Sequence, residues 1–201
     1  MSKKALIVLG IVAAAILLPA GCGISAYNGL VSSDQQVQSQ WAQVENVYQR
    51  RLDLVPNLVE TVKGAAAFEK ETFTAVTEAR SQVAQASATS GRAPDDPAAL
   101  QKYQQAQAQL SGALSRLMVV VERYPDLKAT QNFRDLQAQL EGTENRIAVE
   151  RMRFNEAAQA FNTRRNTFPT VIFASFFGSR FQEKGYFRAE AGAEKAPKVQ
   201  F

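Results

Sequence analysis

The side chains that most often perform chemistry are scarce in this sequence of 201 residues, which has no histidine and a single cysteine, Cys22. That inventory excludes histidine-based zinc and di-iron sites, histidine acid/base relays, cysteine–histidine nucleophiles and intrachain disulfides. What remains is Glu150, a carboxylate in the row Leu136, Thr143, Glu150, Ala157 and Arg164, spaced by seven. A carboxylate on such a row could hold a metal ion or move a proton, but its row offers neither histidine nor a second carboxylate. Burying it costs several kcal/mol unless a cation and further hydrogen bonds accompany it. Aligned end to end, neighbouring helices put Glu150 level with about residue 78, so an Arg80 to Glu150 ion pair in or beside the core is expected. On that reading Arg80→Ala costs more stability than Lys70→Ala. No catalytic, cofactor-binding or metal-ligating residue is predicted, no small-molecule substrate is evident, and an enzyme is not expected.

The elements that must position these residues are helical. Phe133, Leu140, Ile147, Phe154, Phe161 and Phe168 recur every seven positions, which keeps them on one side of a helix that packs against partners along its length. Trp41, Tyr48, Val55 and Val62 keep the same spacing. Leu58, Val62, Ala66, Phe73, Val76 and Val83 form another stripe, and Leu100, Tyr103, Leu110, Leu114, Leu117, Val121 and Tyr124 a third, with Gln107 as its polar member. Asp96-Pro97 has the form of a helix cap and first helical residue, after a loop-like stretch at 87–96. Pro56 is either a bend in one rod from 28 to 87 or a turn. A single rod would be about 90 Å long beside partners of about 40 and 55 Å, so a break at 53–56, with Asp53 capping the second helix, is favoured. The expected fold is an all-α, up-and-down four-helix bundle with helices at about 28–53, 55–87, 97–123 and 130–167.

Ahead of the bundle stands a segment of different character. After Lys3 and Lys4 no charged residue occurs until Asp34, and residues 5–18 are apolar throughout. Extended to Tyr27 as a helix it would cover about 34 Å, enough for a hydrocarbon layer of about 30 Å. Residues 1–27 thus form a membrane anchor or signal-like segment, and cytoplasmic Lys3 and Lys4 would leave the rest outside the cytoplasm. The small residues before Cys22 also fit a lipoprotein signal, in which cleavage leaves Cys22 lipidated, although Pro19 stands where leucine is usual. A cleaved secretory peptide is the third alternative.

The net charge of +4 comes from the two ends of the chain, because residues 34–179 are neutral overall. A nucleic-acid-binding face is therefore not expected. Arg50-Arg51 and Arg164-Arg165 are short basic pairs that suit solvated or ion-paired roles.

Three blocks resemble the LemA family of bacterial membrane-associated proteins. They are Tyr27-Asn28 with Trp41, the run from Arg50 to Gly64, and Glu144-Asn145-Arg146-Ile147 continuing through Glu150-Arg151 to Arg153-Phe154-Asn155-Glu156. Leu52, Val55, Phe68 and Phe154 depart from the family's usual residues. The resemblance implies a four-helix bundle behind an amino-terminal membrane segment, and no reaction.

Beyond Phe168-Pro169, the run Val171 to Phe177, with Phe181, Tyr186 and Phe187, presents apolar surface that must be covered. It either folds back over the end of the bundle or meets a membrane or partner. Residues 28–188 would form one domain, with 168–187 as its apolar closing segment, and 189–201 would be a disordered tail. The expected role is that of a membrane-tethered scaffold or protein-interaction module of the cell envelope, bound to lipid and to protein partners. The alternative is a membrane-organising protein that grips the bilayer with its anchor and its closing segment.

Overall fold

A computed structural model describes residues 3–65, 69–87, 93–94 and 96–188. It is all-helical. Helix α1 runs from Lys3 to Ala65, α2 from Lys70 to Ser87, α3 from Pro97 to Val121, α4 from Pro125 to Lys128, α5 from Gln131 to Asn166 and α6 from Thr170 to Phe176. A 3-10 turn at Gly178–Phe181 follows, and residues 182–188 are extended without regular structure. That last segment is called the strap below.

The chain does not break at residues 53–56. Helix α1 passes through Pro56, and Asp53 is an exposed mid-helix residue that accepts a hydrogen bond from Gln49 rather than capping a helix. Proline has no N–H for the carbonyl four residues earlier, so a helix through Pro56 leaves the Leu52 carbonyl without its ordinary donor. Arg80 of α2 supplies one, its Nε donating to Leu52 O at 3.4 Å. Helix α1 instead continues to Ala65, and α2, from Lys70, runs back along it. The rod leaving the apolar segment is thus longer, and α2 shorter, than a break at Pro56 would make them.

The directions of the helices follow from residues that meet. Gly29, Trp41 and Arg51 of α1 contact Arg164, Phe154 and Glu144 of α5, so these helices run antiparallel along their shared length. Trp41 and Arg51 meet Tyr103 and Gln107 of α3, which runs parallel to α1. Helix α2 returns along the upper part of α1 and packs chiefly on α3. Asp96 caps α3 through Ala98 N at 2.9 Å with Pro97 behind it, as its sequence predicts, and Thr130 caps α5.

The stripes spaced by seven are buried. Trp41, Tyr48, Val55 and Val62 lie in the core, as do Phe133, Leu140, Ile147, Phe154 and Phe161. Phe168 departs from its row at 75% exposure, because α5 ends at Asn166 and the chain turns away before the next heptad position. The interior divides into two clusters. The far one is mostly aliphatic, with Leu58, Val62, Val76, Val83, Leu110 and Leu117. The near one, closer to the apolar amino-terminal stretch, is aromatic, with Trp41, Tyr48, Tyr103, Phe154, Phe161, Phe181 and Phe187.

Candidate functional site

Between the two clusters sits Arg51, a guanidinium only 1% exposed. Its Nη1 donates to Ser111 Oγ and Glu144 Oε1, each at 2.8 Å, and its Nη2 donates to the Gln107 side chain. The guanidinium also lies 5.1 Å from the centre of the Tyr48 ring. A buried cation is tolerable when a counter-ion and further acceptors surround it. Gln107, the polar member of its seam, is polar because it faces Arg51. Burial raises the Tyr48 phenol above its ordinary range, and the Arg151 and Arg51 guanidiniums oppose that rise.

The expected Arg80 to Glu150 pair is not formed. Arg80 is exposed and serves Leu52 O, while Glu150, 15% exposed, pairs with Arg153 at 2.9 Å. The register explains the miss. With the reversal after Ala65, the α2 level opposite Glu150 shifts by about seven residues, or about 10 Å, away from Arg80. The pair that the sequence hid joins the buried Arg51 to the half-exposed Glu144. Its signals were Gln107 on an apolar seam and Glu144 in the α5 motif, but nothing local says which arginine turns inward.

A second arrangement closes the near half. The strap lies in a groove between α1, α3 and α5, and three carboxamides hold its backbone. Asn162 donates from Nδ2 to Lys184 O and accepts the Lys184 N–H, at 2.9 and 2.8 Å. Asn155 treats Phe187 in the same way, at 2.9 Å for both bonds. Gln104 takes the N–H and C=O of Arg188, and Arg165 Nε donates to Phe181 O. A side-chain amide carries one donor and one acceptor side by side, so it pairs with a single residue's N–H and C=O as a neighbouring strand would. Phe181, Lys184 and Phe187, every third residue, are buried. The Lys184 ammonium, 1% exposed, pairs with Asp34 Oδ1 at 2.8 Å and sits over the Phe161 ring. Phe187 stacks on Trp41 at 6.1 Å between centroids and meets Phe154 edge-on. At Gly185 an added Cβ would meet the Leu100 side chain at 3.3 Å and the Pro97 backbone at 3.4 Å, so the strap passes close to the start of α3.

A third feature is the apolar end. Residues 3–22 of α1 are exposed throughout, and the helix is long and apolar enough to cross a membrane by length and composition. Helix α6 packs beside its exit, with the Phe173 ring against Gly23 and the Phe177 ring against Tyr27. Phe168, Ile172 and Phe176 point outward, the last at 79% exposure. Cys22 is exposed and shares a surface hollow of about 260 Å³ with Ser25, Ala26, Gly29, Arg164, Pro169 and Thr170. Among the described residues no cluster of cysteine, aspartate and glutamate is suited to a metal ion.

Burial raises the Glu45 carboxyl above the usual 4.5, and the neighbouring Trp41 side chain partly opposes the rise. Compared with known proteins, the sequence matches the model of the LemA family over residues 40–201. No curated protein matches it.

Proposed function

The chain belongs to the LemA family, and from that premise we propose that it is a membrane-tethered helical-bundle protein of the bacterial cell envelope, a scaffold or protein-interaction module. The observation that carries this reading is the continuity of α1, which runs without interruption from the exposed apolar stretch into the core. A span fused to the central rod holds the folded part upright on the bilayer, with α1, α2, α3 and α5 as an up-and-down four-helix bundle. Lys3 and Lys4 stay on the cytoplasmic side and the bundle projects to the other. Its working surfaces are helix faces, among them exposed Val119, Val149 and Met152. The role is one of tethering and contact rather than turnover, and it calls for no cofactor. The tether is the uncleaved span, with acyl chains on Cys22 as the competing form; the mass of the mature amino terminus distinguishes them.

The reading is tested in intact cells. External protease should remove a carboxyl-terminal tag from spheroplasts and spare an amino-terminal one, and a protected carboxyl terminus overturns the orientation. A photoreactive residue at position 119, 149 or 152 should give a discrete protein adduct. Uncrosslinked monomer from all three positions sinks the scaffold.

The exposed face of α6 favours a second reading, in which the protein also organises the membrane around its anchor. Phe168, Ile172 and Phe176 lie beside the exit of the span, where lipid would cover them. In full-length protein carrying Trp41→Phe and Phe176→Trp, brominated lipid should quench the new tryptophan. Unquenched emission refutes insertion of α6.

A further inference from the structure

The groove that holds the strap has the features of a peptide-recognition site whose ligand happens to belong to the same chain. Asn155 and Asn162 are seven residues apart on α5, a rise of about 10.5 Å. The residues they grip, Phe187 and Lys184, are three apart on an extended segment, which advances about 9 to 10 Å. The two repeats match, so a helix with a carboxamide at each heptad reads every third residue of an extended peptide. Backbone pairing supplies the grip, while side-chain pockets set which peptide fits. Lys184 needs Asp34 and the Phe161 face, and Phe187 needs Trp41 and Phe154. Gly185 lies where the chain crosses Leu100 and Pro97, with little room for a larger side chain's Cβ.

We propose that this groove also accepts the strap of a second copy of the chain, so that neighbouring copies exchange segments 182–188. The peptide whose chemistry the site demonstrably fits is the strap, and each copy carries one. On the tethering read above, both copies stand in one bilayer in the same orientation, which puts every groove and every strap at the same height and at high effective concentration. The pivot is also present. The strap leaves α6 through Gly178, at φ +55, and the short 3-10 turn. Unwinding residues 177–181 gives a reach of about 17 Å. Exchange of an identical segment replaces the contacts of residues 182–188 by the same set, at the cost of the Phe177 and Phe181 ring contacts with Tyr27 that the unwound stretch gives up.

The test uses full-length chains in membrane vesicles, in two forms with different tags. The donor form carries photoreactive p-benzoylphenylalanine in place of Tyr186, which borders Met152, Asn155 and Gln159. Irradiation should join the two tags, with the adduct mapped to α5 of the acceptor form. Adducts confined to the donor's own α5, or joined to the acceptor elsewhere, overturn the proposal. An acceptor carrying Lys184→Ala and Phe187→Ala frees its groove without touching it, and its adduct with the donor should increase. No increase also overturns exchange. Adding Asn155→Ala and Asn162→Ala to the acceptor should abolish the product, and a product that persists shows that the carboxamides do not hold it. Because the bundle's tethering is tested separately by the protease experiment, failure of exchange leaves that reading standing.

Discussion

The far and near halves of the molecule share α1, α3 and α5, yet they are closed by different means. In the far half a fourth helix, α2, lays Phe73, Val76 and Val83 onto the aliphatic core. In the near half the strap takes that place with a buried ammonium, three carboxamide pairings and aromatic rings. A helix satisfies its own backbone and needs only apolar side chains to pack. An extended segment brings unpaired N–H and C=O groups, so the surface that receives it must offer polar partners in register. The halves therefore differ in how their closing elements fail. Loss of packing under α2 affects the whole bundle, whereas loss of strap contacts can be limited by local undocking.

Arg51 stands at the border, and its removal gives the largest expected effect. Arg51→Ala leaves Gln107 and Ser111 without their partner and opens a cavity between the two clusters, at a cost of about 3 kcal/mol or more in detergent-solubilised full-length protein. Adding Gln107→Leu to Arg51→Met should recover most of that loss, because an apolar layer can replace a buried polar one. Denaturant unfolding measures both, and no recovery would mean that the layer contributes more than charge satisfaction.

The comparison sharpens with one deletion in each half. Leu117→Ala in the far core should lower global stability by about 2 to 5 kcal/mol. Phe187→Ala removes more atoms but should shift global unfolding less, because the strap releases first and caps the penalty. Hydrogen exchange should speed up across residues 182–188 for Phe187→Ala and stay close to that of the parent there for Leu117→Ala. Equal global losses without strap release would erase the distinction between the halves.

The smallest effect belongs to Glu45, whose carboxyl is held above its ordinary value by burial near Trp41. A raised value means that folding favours the protonated form, so its contribution is full below pH 4.5 and is lost as pH rises through the folded value. Glu45→Gln keeps the shape of the side chain and removes the charge. It should raise the melting temperature modestly at pH 7 and match the parent below about pH 4.5. The reverse order of melting temperatures at pH 7 would place Glu45 in a stabilising ion pair instead.

Much of the fold was legible because its signals are local or periodic. The apolar amino-terminal stretch, the Asp96 cap and the rows through Trp41 and Phe133 each follow from residues within a few turns of one another. The site was less legible. Arg50 and Arg51 are adjacent and alike, and only the helix face that meets Gln107 and Glu144 distinguishes them. Asn155 and Asn162 carry the heptad spacing, but a polar pair seven apart is equally compatible with a solvated face.

By itself, then, the sequence determined that the chain is helical, which stripes face inward and where an uncharged span begins, since side-chain spacing along a helix is a one-dimensional property. Tertiary structure alone decided that α1 continues through Pro56, because the carbonyl freed by proline finds its donor on Arg80, 28 residues away. It alone decided that the near half is closed by a strap, because a carboxamide and a peptide group are complementary only once folding has placed them face to face.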